Sequence, residues 1–120
     1  MEKRNLRKVG RFYEVRAAEF LTEHGVKILF YNFCCRQGEI DLIGIDKNVL
    51  VFFEVKYRKD SRNGFPEEAV GITKQKRICR TSRYFIYRHP EFYGNEIRYD
   101  VVSILDNYVK WYRGAFTYTG

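Results

Sequence analysis

The chain has 120 residues, a length typical of one domain, and 45% of its residues are hydrophobic while 18% are aromatic. This composition can fill a core without staples, which argues against a disordered chain and against a scaffold that depends on disulfides or a structural metal. The formal net charge is +7, from 22 Lys and Arg against 15 Asp and Glu, which favours an anionic partner. We expect a single domain over residues 1–120.

Hydrophobic periodicity predicts the elements in chain order. Apolar residues at three- and four-residue steps predict a helix over residues 5–24, which Gly25 ends. Strands are predicted over residues 26–33, 39–45 and 49–57, followed by a loop over 58–66. A second helix is predicted from Pro66 to about Tyr87, with Thr73 as an alternative start, and strands over 96–105 and 109–112 complete the chain. The order α-β-β-β-α-β-β predicts an α/β fold, a mixed central sheet flanked by helices.

The positive charge is concentrated in residues 56–88, which hold ten basic and three acidic side chains. A basic face on a small domain favours nucleic acid as the partner. A solvated face that only aids solubility is the alternative, because charge alone names a class of partner and nothing more.

Three cysteines, Cys34, Cys35 and Cys79, do not form a disulfide framework, because their number is odd and two of them are adjacent. They also lack the spacing of a zinc site. We expect free, core or half-buried thiols in a reducing compartment. No apolar run approaches the length of a membrane span, so a cytoplasmic protein without a membrane partner is predicted.

Acidic side chains recur on the second and third strands. Alternation places Glu39 and Asp41 on one face of the second strand and Ile40 and Leu42 on the other. A short turn joins the second and third strands, so they are predicted to pair side by side in antiparallel orientation. This pairing brings Glu39 and Asp41 near Glu54 of the third strand. Glu54 and Lys56 share a face of that strand by the same rule.

Such a patch is costly without a counter-charge, since two carboxylates about 4 Å apart repel by roughly 4 kcal/mol at an effective dielectric of 20. Oxygen ligands of this kind suit Mg²⁺, which could activate a water and stabilise charge on a phosphoryl group. Glu14 borders the apolar stripe of the first helix and could lean toward Asp41. The alternatives are surface ion pairs, including Glu14 with Arg11 or Arg16.

The motifs resemble those of a known superfamily. The stretch GEIDLI from Gly38, followed after a turn by VFFEVKYR from Val51, resembles the PD-(D/E)xK nucleases, which have the restriction-endonuclease-like fold. More narrowly, the chain looks like the YraN family, which is similar to archaeal Holliday-junction resolvases. The likeness extends from Gly10 through Asn32 to a YDVV stretch beginning at Tyr99.

This resemblance implies a Mg²⁺ or Mn²⁺ site of Asp41 and Glu54, completed by Glu14, with Lys56 as the catalytic lysine and Glu39 as an auxiliary acid. The proline that precedes the aspartate in the superfamily name is Ile40 here. Cys34 and Cys35 replace the polar residues that are more usual after the asparagine, and nothing in the sequence explains that change.

The sequence therefore predicts a metal-dependent endonuclease that binds nucleic acid and hydrolyses phosphodiester bonds on branched or linear substrates; DNA is favoured over RNA, although the sequence does not distinguish the two. A homodimer is expected if the likeness to the resolvases is close. The alternatives are a nucleic-acid-binding module without activity on the same fold and a protein-interaction domain that uses exposed tyrosines. The basic side chains predicted to hold phosphates are on the second helix and the loop before it: Arg58, Lys59, Arg62, Lys74, Lys76, Arg77, Arg80 and Arg83.

Overall fold

The computed structural model describes residues 3–58 and 69–118, in which five strands form one mixed sheet in the order β1-β2-β3-β4-β5. Strands β3 and β4 are parallel, and the other neighbours are antiparallel. The parallel pair requires a crossover, which α2 provides. The predicted α/β class and order α-β-β-β-α-β-β are confirmed. The elements are α1 (Lys3–Glu23), β1 (Lys27–Cys35), β2 (Gly38–Asp46), β3 (Val49–Arg58), α2 (Ile72–Arg88), a 3₁₀ turn (Pro90–Phe92), β4 (Glu96–Leu105) and β5 (Tyr108–Phe116).

The two helices cover opposite faces of the sheet. On β3, Val51 and Phe53 pack in a core cluster with residues of α1, whereas Leu50 and Phe52 pack in a second cluster with residues of α2. Because successive side chains of a strand point to opposite faces, the two clusters lie on the two sides of the sheet. Strand β3 is thus buried on both faces, as its continuous apolar run predicts.

The end of α1 follows the predicted punctuation. The helix ends at Glu23, and Gly25 adopts a φ of +91°, a left-handed conformation that glycine tolerates without steric cost. The Val26 amide then donates to the Leu21 carbonyl at 3.0 Å, which turns the chain toward β1. Among the described residues, no helix is long and apolar enough to cross a membrane.

The start of α2 was predicted wrongly. The helix begins at Ile72 and not at Pro66, and the preceding residues 69–71 are not helical. Gly71 is extended, with φ −61° and ψ 151°, and the Gln75 side chain donates to the Val70 carbonyl at 2.6 Å. The proposed first turn at residues 66–68 lies outside the described part of the chain. Helix α2 thus begins close to the alternative start at Thr73.

Strand ends were also predicted too short. Strand β1 continues to Cys35 and β5 continues to Phe116, whereas the sequence predicted ends at residues 33 and 112. Pairing explains both extensions, since Cys35 lies opposite Gly38 and Phe116 lies opposite Tyr99. Ladder hydrogen bonds with the neighbouring strand keep residues in a strand even where their own sequence pattern is ambiguous.

Candidate active site

Asp41 occupies the point where β2 and β3 separate. The antiparallel ladder ends with the pair Leu42 and Phe53, and beyond it Oδ2 of Asp41 accepts the Val55 amide hydrogen at 2.7 Å. A side-chain oxygen therefore takes a bond that a backbone carbonyl takes elsewhere in the ladder. The carboxyl group is inserted between the two strands as a result.

This insertion changes which face the neighbouring residues occupy. Ile40 packs in the cluster on the α2 side of the sheet, whereas Leu42 packs in the cluster on the α1 side. The prediction that the two share a face was wrong, because regular alternation does not hold where the ladder is interrupted. Asp41 consequently lies between the two sides of the sheet and can contact groups from both.

Three structural elements bring carboxyl groups to this point. The side chains of Glu14 from α1 and of Glu54 from β3 both interact with the side chain of Asp41. Glu54 is 7% exposed, and Asp41 and Glu14 are half-buried. Glu39 is exposed beside them, where it interacts electrostatically with Glu14 and accepts a weak hydrogen bond from the Cys34 thiol at 3.5 Å. The structure thus brings together the four carboxyl groups singled out in the sequence, and Glu14 is not merely paired with an arginine of its own helix.

The cluster holds protons that isolated carboxyl groups would release. Burial raises the pKa of Asp41 to about 9, assisted by the hydrogen bond and charge of Glu54, while the Val55 amide opposes the shift. Burial and the charge of Glu39 also raise the pKa of Glu14. Two carboxyl groups in contact cannot both ionise cheaply, so the Asp41 and Glu54 pair retains a proton at neutral pH.

Two lysines lie on the α2 side of the acidic cluster, and one of them contacts it. The Lys74 ammonium contacts Oε2 of Glu54. Burial lowers the pKa of Lys74, but the ion pair with Glu54 outweighs that effect and the pKa is raised. Lys56 shares the strand face of Glu54, and among the described residues its ammonium donates to the Ala69 carbonyl rather than to a carboxyl group. The predicted contact between Lys56 and the acids is therefore replaced by one from Lys74.

Lys74 was predicted as a phosphate contact on the outer side of α2, and its place in the acidic cluster was missed. That place depends on where α2 begins, since Lys74 lies in the first turn of a helix that starts at Ile72. The resemblance to the YraN family also includes Ala69, Val70 and Lys74. This was the available signal, although the resemblance assigned no role to the lysine.

The oxygen donors suit a hard divalent cation in their chemistry. Oε2 of Glu54 is buried and accepts no well-directed hydrogen bond within the described residues, although the Lys74 ammonium touches it. Over the same ranges, no three His, Cys, Asp or Glu side chains stand around one point as a preformed set of ligands. A proton and an ammonium group instead offset the charge of these acids.

A cleft of about 650 Å³ opens beside the acids on the α1 side. Arg7 and Arg11 of α1 line it together with Glu14 and Glu39. Asn32, in the middle of β1, also lines the cleft and has a φ of +53°. It lies opposite Asp41, since the residues on either side of Asn32 pair with the residues on either side of Asp41. Left-handed residues that are not glycine are uncommon and gather at functional sites, and asparagine tolerates this conformation best. The two arginines were not among the predicted site residues.

The predicted phosphate-binding residues are distributed unevenly. Lys76, Arg77 and Arg80 are exposed on α2, whereas Arg58 is half-buried at the end of β3 and its carbonyl accepts the Asp106 amide at 3.1 Å. Lys59 and Arg62 lie outside the described residues.

Comparisons with known proteins agree with one another. A family model described as "Uncharacterised protein family UPF0102" matches residues 13–104. A UPF0102 protein of Lachnoclostridium phytofermentans is 43% identical over 109 residues, which cover 89% of this chain and 91% of that protein. A UPF0102 protein of Caldicellulosiruptor bescii is 46% identical over 100 residues, covering 83% and 84%. For one from Alcanivorax borkumensis the identity is 43% over 101 residues, covering 84% and 81%.

Proposed function

The chain belongs to the UPF0102 family, which is the YraN family that its motifs resemble, and we propose that it is a metal-dependent endonuclease. In this proposal it binds DNA and hydrolyses phosphodiester bonds with Mg²⁺ or Mn²⁺. The acidic residues Glu14, Asp41 and Glu54 hold the cation, Glu39 supports them, and Lys56 acts as the catalytic lysine. The homodimer expected from the likeness to resolvases stays a prediction.

The convergence of Glu14, Asp41 and Glu54 from a helix and two strands carries this proposal. Each carboxyl group is at least half-buried, and the pair of Asp41 and Glu54 keeps a proton because burial and their mutual repulsion outweigh the single ammonium group that contacts them among the described residues. Perturbed carboxyl groups that converge beside a cleft mark functional sites more often than structural ones. A divalent cation would relieve the same repulsion more completely than one proton and one ammonium group do.

The chain's own side chains have distinct tasks in this proposal. When bound, the cation supplies a water of lowered pKa and offsets charge on the phosphoryl group. Asp41 is held in place by the Val55 amide, which bonds one carboxyl oxygen and leaves the other for the cation. Lys56 and Lys74 provide ammonium groups on the α2 side, where negative charge develops on phosphoryl oxygens. Arg7 and Arg11 orient a phosphate at the mouth of the cleft on the opposite side.

One observation favours a second candidate, a nucleic-acid-binding module without activity. In the described part of the chain the acids contact one another and Lys74 in place of forming a preformed ligand set. Such a module would bind DNA through the exposed basic residues of α2 and would ignore divalent cations.

Cleavage of labelled branched and linear DNA with Mg²⁺ or Mn²⁺ tests the proposal. We expect the wild type to cleave, and Asp41→Asn and Lys56→Ala to lose cleavage while they still bind DNA in EDTA. Asp106→Asn, at an exposed turn, is the matched control for Asp41→Asn and should cleave as the wild type does. Binding by all four proteins without cleavage by any of them would instead support the inactive module.

A further inference from the structure

A second basic surface begins where the acidic cleft ends. The cleft beside the acids shares Cys34 with a hollow of about 430 Å³, which is lined by Arg36, Arg88 and Tyr84. Tyr84 is in turn shared with a further hollow of about 460 Å³ on the outer side of α2. These hollows therefore follow one another from the acids, around the β1–β2 turn, and onto the C-terminal half of α2. We name the surface after Cys34 the α2 track, formed by Arg36, Gln37, Arg80, Arg83, Tyr84, Tyr87 and Arg88.

The packing of Gly38 fixes the course of the α2 track. A Cβ atom at Gly38 would lie 3.3 Å from Oγ1 of Thr81 and 3.8 Å from Cβ of Arg77, so the start of β2 rests directly on α2. Gly38 also has a φ of +150°, which L side chains rarely adopt. A Cβ atom here would press on the Thr81 hydroxyl, which would have to shift by a few tenths of an ångström. The glycine thus keeps Arg36 and Gln37 beside the helix residues of the track.

The charge of the α2 track has one sign. Its lining includes four arginines, and no carboxylate lines either hollow within the described residues. His89, which lines the first hollow, stacks on Phe85 and lies 3.7 Å from Glu91 outside the track. From Arg80 to Arg88 the helix rises about 12 Å, so the guanidinium groups follow a path rather than a single point. A polyanion with regularly spaced charges fits such a path.

Aromatic rings lie between the arginines. Tyr87 is 70% exposed, so its ring is open to a ligand. Tyr84 is half-buried against Phe33, and its hydroxyl accepts a hydrogen bond from Arg88 at 2.9 Å, which fixes the ring in the wall of the hollow. Exposed rings beside arginines are the surface that stacks unpaired bases, whereas a duplex keeps its bases stacked on one another.

We propose that the α2 track binds a single-stranded nucleic-acid segment that continues from the acidic site, with arginines on its phosphates and Tyr87 stacked on a base. The inference deepens the proposed function and rests on it in one respect. If the acidic site cleaves nucleic acid, the track makes the favoured substrate one with an unpaired strand beside the scissile bond. Binding itself requires no cleavage.

Fluorescence anisotropy with a labelled 20-nucleotide oligo(dT) and a 20-base-pair duplex, both in EDTA, tests the track. Stacking of one base on an aromatic ring accounts for about a fivefold to hundredfold change in affinity. We expect Tyr87→Ala to weaken oligo(dT) binding by a factor in that range and to change duplex binding less than twofold. Tyr108→Ala is the matched control, since Tyr108 is 71% exposed on β5 away from the track.

Charge is tested by the double variant Arg36→Ala, Arg83→Ala. Each lost phosphate contact lowers the slope of log affinity against log salt by about 0.7 for a single strand. The control pair Lys27→Ala, Lys47→Ala removes the same charge at the other end of β1 and β2 and should keep the slope. The proposal is overturned if the wild type does not bind oligo(dT), or if each track variant binds as its control does.

The cleavage assay separates this proposal from the endonuclease proposal. If Tyr87→Ala weakens oligo(dT) binding but the wild type cleaves no DNA, the track exists and the endonuclease proposal fails. If the wild type cleaves DNA but Tyr87→Ala and the arginine double variant both bind oligo(dT) as their controls do, the endonuclease proposal stands and the track fails.

Discussion

Asp100 and Asp41 are carboxylates on inner strands of the same sheet, yet the first is surrounded by hydrogen-bond donors and the second by further carboxyl groups. Asp100 is fully buried and accepts four hydrogen bonds at 2.8–2.9 Å, two from Arg98, one from the Trp111 indole and one from the Gly114 amide. Among the described residues, Asp41 accepts one amide hydrogen, from Val55, and interacts with the carboxyl groups of Glu14 and Glu54.

The surroundings of Asp100 complete a satisfied network. Arg98 also bonds Asp46 at 2.9 Å, and the guanidinium of Arg113 lies 3.6 Å from the centre of the Trp111 ring. Contact with Asp100, outweighing the effect of burial, raises the pKa of Arg98 above its ordinary value. Both oxygens of the buried Asp100 carboxylate accept hydrogen bonds from the protein, so this side chain joins β4 to β5 and needs no ligand. Within the described residues, the cluster at Asp41 has one amide and one ammonium group for three buried or half-buried acids, and acids with so few donors beside a cleft are the sign of a site that awaits a ligand.

Replacing Asp100 gives the largest expected effect. Asp100→Asn keeps the shape but removes the charge and presents amide hydrogens to donors that already surround it. Removing one partner of a buried ion pair costs about 3–5 kcal/mol, so urea unfolding should show a loss of stability of that size. The control Asp106→Asn lies at an exposed turn with a φ of +54°, which asparagine tolerates, and should change stability by less than about 0.5 kcal/mol. Equal losses in the two variants would show that the network carries no special weight.

Replacing Asp41 should have the opposite sign in metal-free protein at pH 8. The folded pKa of Asp41, about 9, lies above its unfolded value, so wild-type stability is full near pH 4 and is lost as pH rises toward 9. Asn mimics the neutral acid and removes this loss. We expect Asp41→Asn to be more stable than the wild type by roughly 1–3 kcal/mol at pH 8 in EDTA, and equally stable near pH 4.

Chemical unfolding across this pH range measures the difference. Glu96→Gln is the control, since Glu96 is exposed at the start of β4, opposite Val49 and away from the acidic cluster, and its replacement should leave the slope of stability against pH unchanged. A destabilised Asp41→Asn at pH 8 would mean that the cluster is satisfied as the Asp100 network is.

Lys74 provides the smallest test. Both Lys74 and Lys76 are exposed on α2, but only Lys74 contacts Glu54 among the ion pairs of the described residues. Exposed ion pairs contribute about 0.2–1 kcal/mol, and because Lys74 is exposed while Glu54 is buried, Lys74→Ala should cost about 1 kcal/mol, at the upper end of that range, and Lys76→Ala almost nothing. In a Glu54→Gln background the difference between the two variants should disappear. A difference that persists there would assign the effect to helix propensity and not to the acidic cluster.

The sequence predicted much of this arrangement because periodicity reports burial. The strand pair β2 and β3 and the position of Glu14 at the edge of an apolar stripe both followed from alternation and helical spacing. The face change at Asp41 could not be predicted, since a side chain replaces a backbone acceptor there and alternation breaks. Lys74 was misplaced because the start of α2 depends on tertiary contacts of residues 69–71. The Asp100 network was missed, since two of its donors, Trp111 and Gly114, come from β5, whose register against β4 the sequence pattern does not fix.

Calorimetric titration of metal-free protein with Mn²⁺ at pH 8, in two buffers of different ionisation enthalpy, tests the central claim most directly. The carboxyl pair should release its proton when a cation binds, so the account predicts binding to the wild type with proton release to the buffer. Asp41→Asn and Glu54→Gln should lose that binding, while Lys76→Ala should keep it. Wild-type protein that takes up no Mn²⁺, or an Asp41→Asn variant that binds it equally well, would contradict the assignment of this cluster as a cation site.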